Sequence, residues 1–228
     1  MLILALETSG TQGSVAAISG DSLVASQPLP SDQRSAQSLA PAIHQMLAGI
    51  DWEIQSLDLI AVTRGPGSFT GLRVGLMTAK CLAYGCSAEL VGVDTLEVIA
   101  QQVCRARSEP LEGETLTTTL NAYRQQVFVR DFVCRNGKAV AQSDSRIEDM
   151  ATWQASLQGK WLAGPFLERA KAKLPEGTRV LDSELWQPMA EFVGVVGLAQ
   201  YEDRGADDFW SIAPEYLRES AAEEKLKS

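Results

Sequence analysis

A chain of 228 residues with 45% hydrophobic content can bury a substantial core, as one large domain or two modest lobes. Its 29 acidic residues against 20 basic ones give a net charge of -9, so a polyanion meets a repulsive average field and unaided RNA binding is disfavoured. His44 is the one histidine, which excludes a histidine-rich metal centre and confines any Ser-His or Cys-His catalysis to that position.

The first residues, MLILALETSG, carry no basic leader, and Glu7 interrupts their apolar run before a signal-peptide core can form. No stretch approaches the roughly 20 apolar residues that span a bilayer. Cys81, Cys86, Cys104 and Cys134 lack the paired spacing of a zinc site, and such sparse usage points to reduced thiols. A cytoplasmic protein without membrane contact is expected.

In chain order, LILALET, GSVAAIS and SLVASQPL predict three strands separated by Ser9-Gly10 and Gly20-Asp21, an antiparallel meander. Residues 35 to 50 place Ala36, Leu39, Ala40, Ile43, Leu47 and Ile50 on one helical face, with Pro41 kinking the helix or sitting near its start. LDLIAVTRG and AELVGVD are apolar runs of buried-strand type, flanking a helix over TGLRVGLMTAKCLAYG that ends at Gly85. TLEVIAQQVCRA continues as a helix.

The polar patch RARSEPLEGE marks a boundary near residue 110. Beyond it, TLTTTLN and QQVFVRDFVCR predict strands, and Asn136-Gly137 predicts a type I′ hairpin into KAVAQS. A helix over 148 to 158, strands at KWLAG and TRVLD, and a helix across MAEFVGVVGLAQYED follow. Meander then strand-helix alternation, found twice, predicts an α/β fold of two lobes. The division is an N-terminal lobe over 1–108, joined by a C-terminal segment near 210–228, and a C-terminal lobe over 109–209. The tail AAEEKLKS is expected to fray.

Three motifs could carry chemistry. In LETSGTQGSVAA, Glu7 ends a strand and Thr8 and Ser9 open a turn. In nucleotide-binding folds of the actin and sugar-kinase type, an acid there faces a metal and the turn amides meet phosphate. An ordinary hairpin turn is the alternative. In RGPGSFTG, Gly65 and Gly67 flank Pro66, and Ser68 or Thr70 can cap a helix whose N-terminus suits an anion. No lysine follows the last glycine, so it is not a P-loop.

Along the next helix, Gly71, Gly75, Ala79 and Ala83 recur every four residues. Each interior glycine costs about 1 kcal/mol of helix propensity relative to alanine, a cost tolerated where another backbone comes close. The spacing leaves open whether that neighbour lies in the same lobe or in another subunit. Ser68, Thr70 and Cys81 lack an adjacent base, since His44 lies on a different helix. Asp94 and Asn121 sit at strand ends, where they could line a cleft or cap the next segment.

With LALETS…GSVA, RGPGSFTGLRVG, VGVDTLEVIA and PEYLRE in order, the chain resembles the TsaB (YeaZ) family over essentially its whole length. The resemblance implies a duplicated actin/Hsp70-like (ASKHA, ribonuclease H-like) fold. It also implies a dimerisation subunit for the paralogue TsaD in making threonylcarbamoyladenosine beside the tRNA anticodon, with the ATPase TsaE joining them. It implies no catalytic residue, metal or cofactor in this chain, ATP/ADP and metal residing in the partners and tRNA being met only through the complex.

Arg64, Gly65, Pro66, Gly67, Ser68, Phe69, Thr70, Gly71, Arg73, Gly75 and Ala79, with helix 35 to 50 nearby, are then the candidate partner-binding residues. Glu7, Thr8 and Ser9 are a vestigial nucleotide site. A homodimer is open to the isolated chain. Two departures stand out. Ser35 replaces a histidine common at the start of the first helix, and Asn121-Ala122-Tyr123 with Gln126-Val127-Phe128 replaces DAR with EVY. The competing class is an autonomous kinase-like ATP-binding enzyme or a peptidase relying on His44.

Overall fold

The computed structural model describes residues 1–30, 35–107 and 111–218. Strands β1 (Leu2–Glu7), β2 (Ser14–Ser19) and β3 (Ser22–Pro28) form the expected antiparallel meander. Then come α1 (Ser35–Gly49), β4 (Leu59–Gly65), α2 (Phe69–Cys86), β5 (Glu89–Asp94) and α3 (Thr95–Ala106). β4 joins β1 and β5 joins β4 in parallel, giving the order β3-β2-β1-β4-β5. Pro41 lies inside α1 on its exposed side, where the ring meets solvent rather than the core.

The second half repeats this plan. β6 (Thr115–Asn121), β7 (Gln126–Arg135) and β8 (Lys138–Ala141) form a meander, and β10 (Trp161–Ala163) and β11 (Arg179–Val180) extend it in parallel. The order β8-β7-β6-β10-β11 matches that of the first sheet element for element. Asn136 and Gly137 take φ of 51° and 71°, as a type I′ turn requires. Sequence patterning misses β9 (Arg146–Asp149), which pairs with the first half of the long β7. Its four residues, three of them charged, carry no alternation signal. Short helices α4 (Met150–Ala155) and α5 (Leu167–Ala170) cover this sheet.

Strand alternation divides the first lobe's core between two faces. Leu4, Leu6, Val15 and Val62 pack with Leu39, Ile43 and Leu76 from α1 and α2. Ile3, Ala5, Ala61 and Val91 pack with Val193 and Val196 from α6 (Ala190–Arg204). Placing residues up to 209 in the second lobe is therefore corrected for this helix, which lies on the first sheet. Its closeness depends on two glycines: a Cβ on Gly194 would stand 2.1 Å from Ile18 Cδ1, and one on Gly197 2.6 Å from Ala61 Cβ.

The second core gathers Leu116, Val127, Phe132, Trp153 and Leu162 against Ile99 and Val103 of α3, so α3 bridges the lobes. The frayed tail expected at 221–228 lies outside the described residues, as do 108–110 within the boundary patch. Among the described residues, no helix is long and apolar enough to cross a membrane.

Candidate functional site

The β1–β2 turn and the start of α2 are built as one unit. Glu7 is fully buried, and its Oε1 accepts from the Ser9 amide and hydroxyl, each at 2.6 Å, and from the Gly10 amide at 3.1 Å. Its Oε2 is buried without a hydrogen-bond partner. Burial pushes the carboxyl up to about 7, against the hydrogen bonds from Ser9 and Gly10 that favour the charged form. Glu7 is thus directed at its own turn.

Thr8 and Ser9 lie against α2 and its entry loop. Thr8 Oγ1 donates to the Gly71 carbonyl at 2.9 Å, and the Ser9 carbonyl accepts from the Ser68 amide at 2.8 Å. Ser68 Oγ accepts the Gly71 amide at 3.2 Å and is the N-cap. The amides of Ser68 and Gly71 are therefore already engaged within the chain.

Each glycine from Gly65 to Gly75 answers to a specific internal neighbour, whereas Gly85 near the end of α2 meets none. A Cβ on Gly67 would stand 2.7 Å from Ser9, one on Gly71 2.0 Å from the Thr8 carbonyl, and one on Gly75 2.1 Å from Thr8 Oγ1. Gly65, at φ +140°, precedes a cis bond to the buried Pro66, and a Cβ on it would stand 2.6 Å from the Glu215 carbonyl oxygen. Ala79 is buried with α1. Of the residues expected to meet a partner, Gly65, Pro66, Gly71, Gly75 and Ala79 are buried within the chain itself and Gly67 is half-buried. Gly71 and Gly75 meet not a helix but the turn after β1.

The outward face of α2 carries different residues. Ser68, Phe69, Thr70 and Arg73 are exposed, followed by Met77 at 58% and Tyr84 at 69% exposure. The segment after α6 lies alongside and adds aromatic rings. Tyr216 stacks on Phe69 with centroids 4.9 Å apart, and the Arg73 guanidinium sits 3.8 Å over the Phe69 ring and donates to Tyr216 Oη at 2.8 Å. Near the other end of α2, Tyr84 meets Phe209 and Trp210 at 6.0 and 6.1 Å, Trp210 being 74% exposed. Arg64 pairs with Glu215 at 3.3 Å.

Sequence reasoning missed Met77, Tyr84, Phe209, Trp210 and Tyr216. A signal was present, since Phe69, Arg73, Met77 and Cys81 follow the same four-residue spacing as the glycines, offset by two residues and so on the opposite face of the helix. Elsewhere, Asp94 and Asn121 act as caps. Asp94 accepts the Glu97 amide at 3.0 Å and pairs with Arg130 at 3.6 Å, and Asn121 accepts the Tyr123 amide at 2.8 Å. His44 is exposed on α1, whereas Ser68 and Thr70 belong to the α2 entry, and no hydrogen bond among the described residues joins them.

A family model described as TsaD, tRNA N6-adenosine threonylcarbamoyltransferase, matches residues 26–194. Along nearly the full length the chain is 27% identical to tRNA threonylcarbamoyladenosine biosynthesis protein TsaB of Bacillus subtilis, covering 99% of this chain and 97% of that one. The chain belongs to this family, on its TsaB (YeaZ) branch. The TsaB of Escherichia coli is 25% identical over 99% of this chain and 98% of its own.

A Geobacter protein named as the transferase shares 35% identity over 42% of this TsaB-family chain and 33% of its own. YeaZ from Pseudomonas aeruginosa superposes with a TM-score of 0.80 at 22% identity, covering 95% of this chain and 99% of that one. The activator of 2-hydroxyisocaproyl-CoA dehydratase from Clostridium difficile gives 0.52 at 12% identity, covering 89% and 96%. The duplicated actin-like fold of the TsaB branch is thus present here.

Proposed function

We propose that this chain is a non-catalytic dimerisation subunit in tRNA threonylcarbamoyladenosine biosynthesis. It docks a TsaD-type paralogue and supports transfer of a threonylcarbamoyl group to the tRNA adenosine beside the anticodon. The observation that carries the docking step is the outward face of α2, where Phe69, Met77, Tyr84 and Trp210 are exposed together with a pre-oriented Arg73. Exposed aromatic and arginine anchors of this kind are characteristic of interface centres. Catalytic metal, ATP/ADP and RNA contacts belong to the partners, including a TsaE-type ATPase. In their absence a second copy can use the same face.

The test is light scattering after size exclusion, with the chain alone and mixed with the TsaD-type paralogue from the same organism. Met77→Glu and Trp210→Ala alter exposed side chains and should leave the fold intact. A one-to-one complex is expected, weakened at least tenfold by Met77→Glu, because a buried unpaired carboxylate costs several kcal/mol. Absence of a complex would reject the subunit role. An undiminished complex with both variants would move docking to another face.

A further inference from the structure

The chain after α6 spans both lobes. It starts on the first, where the Asp207 amide donates to the Leu90 carbonyl at 2.8 Å, the Gly92 amide donates to Asp207 Oδ2 at 2.9 Å, and Ile212 is buried in the core beneath α1 and α2. It reaches the end of β4, where the Glu215 amide donates to the Arg64 carbonyl at 2.7 Å. Two residues later it is on the second lobe. Leu217 packs against that lobe's core, and Arg218 donates to the Ala122 carbonyl and to Gln126 Oε1, at the tip of the β6–β7 hairpin.

The crossing lies at the carboxyl ends of β4 and β6, where open α/β sheets receive their ligands. The lobes are already joined along α3. There Thr118 Oγ1 donates to the Leu96 carbonyl at 3.0 Å, Arg130 pairs with Glu97 at 3.2 Å, and Gln101 Nε2 donates to the Gly137 carbonyl at 2.9 Å. The chain also crosses between Trp186, in the second core, and Ala190, in the first, whose amide donates to Ser14 Oγ at 2.9 Å. A further attachment at the strand ends restricts rocking about these joints. Gly65 shows how closely the crossing segment is seated, because any side chain there would strike the Glu215 carbonyl.

We propose that Glu215–Arg218 is an intramolecular latch, which closes the crevice at the strand ends with the chain's own residues and holds the two lobes in one orientation. Its glutamate and arginine bind one lobe each, and Leu217 places an apolar anchor between them. The latch goes beyond partner docking and is a property of the chain by itself.

The experiment uses the full chain without partners and compares it with the double variant Leu217→Ala/Arg218→Ala. Hydrogen exchange at the Gln126 amide, which bonds the Tyr123 carbonyl at 2.9 Å, should accelerate at least tenfold. Small-angle scattering should show a larger radius of gyration, while the amides of β4 and β5 stay protected. Unchanged exchange at Gln126, or faster exchange with an unchanged radius, overturns the latch. If the double variant unfolds, Arg218→Gln is judged by the same two readouts, since it removes only the guanidinium contacts. Because no partner is present, failure here leaves the docking role untouched, and the converse also holds.

Discussion

Thr8 closes over Gly75: its Oγ1 lies 2.1 Å from where a β-carbon on that glycine would stand, and the same oxygen donates to the Gly71 carbonyl at 2.9 Å. One threonine thus reads two successive turns of α2 and fixes how closely the helix approaches the end of β1. The contact explains why the helix retains glycine at the cost of propensity.

Gly75→Ala should accordingly destabilise the protein by about 2 kcal/mol, although alanine is the better helix former by about 1 kcal/mol. Thr8→Ala should cost about 1 kcal/mol through the lost hydrogen bond. In the double variant the new methyl occupies the space vacated by Oγ1, so its loss should be smaller than the sum by at least about 1 kcal/mol. Urea unfolding of the four proteins completes the cycle, and strict additivity would refute the contact's role.

Glu7 should make stability depend on pH. Below its ordinary value of 4.5 the carboxyl is protonated in both states, whereas between 4.5 and about 7 the folded protein holds the proton and the unfolded chain does not. The unfolded state then binds fewer protons, so stability falls as pH rises through this window, by at most about 3 kcal/mol. Glu7→Gln keeps an oxygen for Ser9 and Gly10 without a buried charge. Its melting temperature should exceed that of the parent at pH 8, with the difference shrinking toward pH 5. A pH-independent difference would show that Glu7 does not titrate in this way.

Arg130 is the cation of the α3 side of the lobe junction, 3.2 Å from Glu97 and 3.6 Å from Asp94. Burial already raises the Glu97 carboxyl, with Arg130 opposing that rise. Arg130→Met should cost about 3 kcal/mol by leaving two carboxylates poorly compensated. Glu97 should then rise further, so the variant's deficit should be larger at pH 8 than at pH 5. Thermal melts at the two pH values test this, and an equal deficit would assign the loss to packing alone.

The strand and helix order of both lobes was legible because the apolar residues follow periods of two and about four along most elements. TLEVIAQQVCRA and TLTTTLN coincide with α3 and β6, and Asn136-Gly137 forms the predicted turn. Short or polar elements were not legible, as β9 shows. The association of α6 with the first sheet was also hidden, because an amphipathic helix specifies that one side is buried but not which sheet will cover it.

The glycine stripe of α2 likewise determined, from the sequence alone, that something approaches the helix closely. Only the tertiary structure decided what that neighbour is. Thr8 is 67 residues from Gly75 in sequence, and their contact arises from the pairing of β1 with β4, which carries the β1–β2 turn beneath α2. A periodic pattern records how much room a surface needs. The identity of its occupant depends on strand pairing across the fold, and here that occupant is the chain itself.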